Sequence, residues 1–229
     1  MPKNNIINFI AESLKRNKKD QKEYKFGDGY VFVKDPLPED INLEHVLDTV
    51  IETVPAHLLG LVESVLVGDF EEFRDRQINA MYKDGAIYIT NAQTDNEDMI
   101  DDIIHELAHA VEKEYGYEIY ASNRKLTNEF KNKRKQLERM LSYHGYATQG
   151  YDFEDIEYSL EFDDYLLRSI GYPNLSSLVV GMFVDAYSTT SISEYFASGF
   201  EAYFLRDRDY LKKISPALYR KIREIISDA

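Results

Sequence analysis

No cysteine occurs anywhere in the 229 residues. Disulfides, thiolate metal sites and cysteine nucleophiles are therefore excluded together. Tryptophan is absent as well, and 18 tyrosines carry much of the aromatic content, so a tyrosine at any one position is cheap evidence for a role. Positive charge is in deficit: 27 Lys and Arg stand against 41 Asp and Glu, a formal net charge of -14. That balance argues against a nucleic-acid partner, because phosphate binding needs clustered cations. It favours basic or neutral partners, such as a protein or peptide with a basic segment, although a solvated acidic surface is the commoner meaning of such a balance. No run of ~18 apolar residues appears, so no membrane-spanning helix is expected. No apolar stretch of secretory length precedes the charges at Glu12, Lys15, Arg16, Lys18 and Lys19, and a cytoplasmic location is the corresponding expectation. These features leave the oligomeric state open, and a monomer is compatible with them.

What is present reads as one α+β domain over 1–229, with an N-terminal α/β lobe (1–116) and a helical C-terminal lobe (117–229). Helical spacing of Ile6, Ile7, Phe9, Ile10 and Leu14 predicts a short helix over 4–14. Alternating β-branched and aromatic residues predict strands in "GYVFVKD" (29–35), "LVESVLVGD" (61–69) and "GAIYIT" (85–90). Between the first two lies an amphipathic helix over 42–60, broken near Pro55. Thr94 and Glu97 fit a capping box, and Met99, Ile100, Ile103, Ile104, Leu107 and Val111 then repeat with helical period as far as Gly116, a plain stop signal. Helices alone follow: a charged one over 122–145, a loop over 146–155, apolar segments "YSLEFDDYLLRSIG", "NLSSLVVGMFV" and "SISEYFASGFEAYFLRD", and a last helix opening at Ser215 and Pro216.

The chemistry concentrates in "DDIIHELAHAVEKEYG", residues 101–116. His105 and His109 stand four apart, so both imidazoles leave one face of the helix and can converge on one metal ion. Zinc takes neutral nitrogen at ~2.0 Å and, in catalytic sites, three protein ligands plus a water. Glu106, flanking that face, is positioned to accept the proton of a water that zinc has acidified toward pKa ~7. The bland reading is a surface helix carrying these residues by accident. Against it, the same turn holds Ile104, Leu107 and Ala108, and burying two imidazoles and a carboxylate without partners costs several kcal/mol.

A third ligand is required, and the residues leave several candidates. Glu112 is nearest in sequence but lies on the next turn. Asp163 and Asp164 fit an aspartate-type site. Glu194 lies on an apolar helix with Phe196, Phe200, Tyr203 and Phe204, where a carboxylate needs a cation. Equally, Ser191 and Glu194 read as a capping box that merely closes the helix start. Tyr115 stands where a metzincin would place a third histidine, which removes that class.

"HELAHAVEKEYG", followed by "YSTTSISEYFASGFEAYFL" and "SPALYRKIREI", resembles the lethal factor-like family of zinc peptidases, which includes the Pro-Pro endopeptidases. The resemblance covers about 85–116 and 187–226. It implies a zincin-like fold with a small mixed sheet and a gluzincin endopeptidase. It implies one zinc ion per chain held by His105, His109 and Glu194, with Glu106 as base and Tyr187 assisting the oxyanion. Tyr195 and Tyr172 are alternative phenols. Zincins bind an extended substrate along a strand at the cleft edge, and "GAIYITN" is the segment expected there. Two features depart from the family: Ser198 replaces a frequent second glutamate one turn after Glu194, and the segment between Gly116 and Tyr187 is longer. Family members with decayed motifs are docking modules, which makes a silent binding domain the alternative function.

Overall fold

The computed structural model describes residue 7 and residues 10–12, 24–76 and 78–227. The helix expected over 4–14 lies outside them except for residues 7 and 10–12, which are helical. The chain is mixed α+β, strands first and helices after. It divides into two compact units, Met1–Val111 and Glu112–Ala229.

The first unit is built on a five-stranded sheet in the order β1-β2-β3-β5-β4. β1 (Tyr24–Phe26) and β2 (Gly29–Val33) form an antiparallel hairpin turned by Gly27 at φ 56°, a backbone state open to glycine. β2 runs parallel to β3 (Ser64–Val67), and β3 parallel to β5 (Ala86–Ile89). β4 (Ala80–Lys83) returns antiparallel on the outside of β5 through Asp84 and Gly85, both at positive φ (53° and 86°), as a type I′ hairpin requires. The strand expected at the edge, 85–90, is thus interior: all four residues of β5 are buried, and β4 is the edge. Two-residue periodicity then sorts the faces. Phe32, Leu66, Tyr88 and Met81 lie in one cross-strand row and join Phe70 and Phe73 in a cluster beside α3 (Glu71–Arg76). Val31, Val65 and Ile87 form a row on the opposite face, each at most 2% exposed.

The amphipathic helix over 42–60 breaks at Pro55 as its ring demands, giving α1 (Leu43–Thr53) and α2 (Ala56–Leu59). α4 (Asn96–Gly116) buries Met99, Ile103, Ile104, Leu107 and Val111 at 3.6-residue spacing. Its cap is displaced one residue from the expected Thr94–Glu97 pair. The Asp98 N–H donates to Asp95 Oδ1 at 2.8 Å, so Asp95 performs the capping. Gly116 does not act as a stop: it stays right-handed (φ -57°, ψ -35°), and the chain continues into a π-helical turn, Tyr117–Ala121.

The second unit is helical. α5 (Lys125–Tyr143) is the charged helix expected over 122–145. α6 (Leu160–Asp164) passes into a second π-turn, Tyr165–Ile170. α7 (Tyr172–Leu178) is shorter than expected because Gly181, at φ 78°, breaks the apolar run. A 3-10 turn, Tyr187–Thr189, leads to α8 (Ile192–Leu205), α9 (Arg208–Ile214) and α10 (Pro216–Ser227). α10 packs against α5, α8 and α9. Phe130, Leu137, Tyr195, Phe196, Phe200 and Leu218, all fully buried, form this unit's core.

Two buried cations on α5 tie the helices together. Lys133 Nζ donates to Tyr195 Oη at 2.7 Å and Ser215 Oγ at 2.6 Å. Burial pulls its pKa down to about 8, against the pull of Glu129. Glu129 accepts from Tyr195 Oη at 3.0 Å and from the N–H groups of Ala217 and Leu218 at 2.8 and 3.1 Å, capping α10 from a neighbouring helix. Arg134 Nη1 donates to the carbonyls of Thr189 and Thr190, which anchors the turn just before α8. Among the described residues no helix is long and apolar enough to cross a membrane.

Candidate metal centre

Four residues apart on α4, His105 and His109 share one face, their ring centroids 5.3 Å apart and inclined at 73°. Both are half-buried, whereas Glu106 between them is only 8% exposed. The Glu106 carboxylate accepts the backbone N–H of Tyr82 at 2.5 Å, which fixes it on edge strand β4. Asp102, one turn before His105, has its carboxyl pushed up to about 7. Burial is the main cause, opposed by the Gln93 amide, with Asp98 and Glu106 adding to the rise and His105 opposing it. Its bond from Gln93 Nε2 is 3.1 Å.

Glu194 stands at the third position of α8. Ser191 caps that helix by accepting the Glu194 N–H at 3.1 Å, so the capping alternative is present at the backbone. The carboxylate, however, belongs to a wider group. The donor atoms of His105, His109 and Glu194 all lie within 4.8 Å of one another, close enough to hold one metal ion. The other candidates for a third ligand are engaged differently. Glu112 accepts from Ser193 Oγ at 2.7 Å and from the Tyr120 hydroxyl. Asp163 accepts from Tyr158 and Tyr172, at 2.8 and 2.5 Å, and Asp164 pairs with Arg168.

No family model, curated protein or solved structure matches the chain. The chemistry of the site accordingly rests on its own geometry.

The phenols named from the sequence separate clearly. Tyr195 is fully buried, with its hydroxyl held between Lys133 and Glu129. Tyr172 gives its hydroxyl to Asp163, and its pKa is driven up by burial and by that bond. Tyr187, 37% exposed in the 3-10 turn before α8, lies edge-on to Tyr172 with centroids 6.3 Å apart. Ser198, one turn after Glu194, is buried. Three features escape sequence reasoning: the Tyr82 N–H on Glu106, the hydroxyl of Ser193, and Tyr120. The Asp84–Gly85 turn between "AMYK" and "AIYI" is the signal that points to the β4 hairpin, and through it to Tyr82.

Proposed function

We propose that this chain is a zinc-dependent endopeptidase of the gluzincin type on a zincin-like fold. The observation that carries the reading is the convergence of two imidazoles and one carboxylate within 4.8 Å. A triangle of that side has its centre within about 2.8 Å of each donor, and shifts of under about 1 Å bring it to zinc's ~2.0–2.2 Å. Two imidazole nitrogens and one carboxylate oxygen, with no cysteine thiolate anywhere in the chain, make a donor set suited to catalytic rather than structural zinc. When bound, the ion supplies Lewis-acid polarisation of a water and of the scissile carbonyl.

The remaining work falls to the chain's own residues. Glu106 accepts the proton of the attacking water and returns it to the leaving amine. Its bond to the Tyr82 N–H holds the carboxylate at the sheet edge, where an extended peptide lying along β4 presents its carbonyl. Tyr187, exposed just before α8, is the donor proposed for the developing oxyanion. The acidic composition favours a protein or peptide substrate with a basic segment.

The direct test is a denatured-proteome peptide library incubated with zinc-loaded protein. Expected is a defined set of cleavages, abolished by 1,10-phenanthroline and restored by added zinc. A library left intact under zinc-loaded conditions would overturn the peptidase reading and favour a docking module.

A further inference from the structure

The metal-binding glutamate of this reading sits in the weakest part of its helix. Glu194 belongs to the first turn of α8, whose backbone N–H groups have no partners within the helix. A turn of this kind frays unless it is tied down, and a ligand on a fraying turn binds a metal poorly. Every residue of this turn is tied. Ser191 Oγ takes the Glu194 N–H, and the Ile156 carbonyl takes the Ile192 N–H at 2.8 Å. The third tie comes from the histidine helix itself: Ser193 Oγ donates to Glu112 Oε2 at 2.7 Å, one turn beyond His109.

Glu112 is in turn held from its other side. Tyr120 donates to Glu112 Oε1, and its hydroxyl also lies 3.5 Å from the Ile192 carbonyl. Its ring meets Phe196 of α8 edge-on at 6.5 Å. Tyr120 could not reach Glu112 along a regular helix, since eight residues rise about 12 Å, more than two sideways-pointing side chains span. The chain departs from helical geometry at Tyr115 (φ -104°, ψ 17°) and then forms the π-turn Tyr117–Ala121. Those two irregularities fold the tyrosine back over the end of its own helix. Single π-turns of this sort recur at functional sites.

We propose that Tyr120, Glu112 and Ser193 form a positioning clamp that sets where Glu194 meets the two imidazoles, and so sets the affinity for the metal. None of the three residues touches substrate; they act through the ligand. The inference rests on the metal-site reading above.

The test is the zinc dissociation constant, measured by competition with a chromophoric chelator, beside the melting temperature of the metal-free protein. Ser193→Ala and Glu112→Gln are expected to weaken zinc binding by about 10- to 100-fold, the usual effect of removing a group that orients a ligand. Ser193→Thr, which keeps the hydroxyl, should restore wild-type affinity. Tyr120→Phe keeps the ring against Phe196 and should weaken binding with the metal-free fold intact. Wild-type affinity in Ser193→Ala, Glu112→Gln and Tyr120→Phe would overturn the clamp while leaving the metal site standing. So would affinity losses shared by Ser193→Thr and matched by lower metal-free melting temperatures. A wild-type chain that takes up no zinc would remove the underlying reading instead, a result visible before any variant is made.

Discussion

Replacing Glu106 by glutamine separates its chemistry from its structural role. The side chain is 8% exposed, and one oxygen accepts the Tyr82 N–H at 2.5 Å. A glutamine carbonyl can accept that same N–H, so the variant keeps its contact with β4 and loses only the ability to take a proton. A positioned general base contributes about 10²- to 10⁴-fold, or about 2.7–5.5 kcal/mol of barrier. The expected outcome is a kcat lower by that factor, with zinc content and melting temperature at wild-type values. Glu106→Ala is the structural control. It removes the acceptor from a part-buried N–H, at a cost of about 1–3 kcal/mol. For a chain of this length that lowers the melting temperature by about 2–10 °C. The assay is initial-rate hydrolysis of an internally quenched peptide taken from the library's best cleavage site, with metal content measured on the same samples. Turnover by Glu106→Gln within about threefold of wild type would refute the base assignment, since no proton acceptor remains at that position.

Tyr187→Phe should lower kcat by about 10²-fold, the loss of one oxyanion donor, with KM little changed; unchanged kcat would return Tyr187 to a packing role. Gly199→Ala should destabilise the fold by about 1–3 kcal/mol in urea denaturation. The added Cβ would lie 2.2 Å from Leu218 Cδ2, and Leu218 is fully buried with nowhere to retreat. Unchanged stability would mean that α8 and α10 separate without cost. Asp102 gives a pH-dependent prediction for the metal-free protein. Its carboxyl is raised in the fold from 3.8 to about 7, chiefly by burial, so its contribution is complete below about pH 4 and lost as the pH rises through 7. Asp102→Asn removes that loss, and its amide can donate to the buried Gln93 oxygen. The variant should therefore gain urea resistance relative to wild type between pH 4 and 8, and a constant difference across that range would contradict the burial argument.

Long periodic segments were legible from the residues alone. The spacing of Met99, Ile103, Leu107 and Val111 marks α4, and Pro55 breaks the preceding helix where its ring clashes with the turn before it. The α+β order follows from where β-branched alternation stops and 3.6-residue spacing takes over. Two short strands were not legible. β1 has only three residues, and β4 reads "AMYK", with no β-branched residue to mark it, whereas the equally short β3 and β5 are rich in Val and Ile; the hairpin signal lies in Gly27 and in Asp84–Gly85. Missing β4 made β5 look like the edge. In the candidate site, His105, Glu106 and His109 can be read from local spacing because one helix fixes them. Glu194 lies 85 residues beyond His109 in sequence, and only tertiary packing brings a residue that distant into the same group. Tyr120 was hidden for a further reason: its position depends on a kink and a π-turn, and nothing in "YGYEIYA" distinguishes those from an ordinary helical end.

The most direct measurement is metal analysis combined with X-ray absorption spectroscopy on protein equilibrated with zinc and then dialysed. The account predicts one zinc per chain, coordinated by two imidazole nitrogens and a carboxylate oxygen. Glu194→Ala should lose the carboxylate contribution, and His109→Ala the metal itself. Substoichiometric zinc in the wild type, or a coordination shell unchanged in Glu194→Ala, would contradict it.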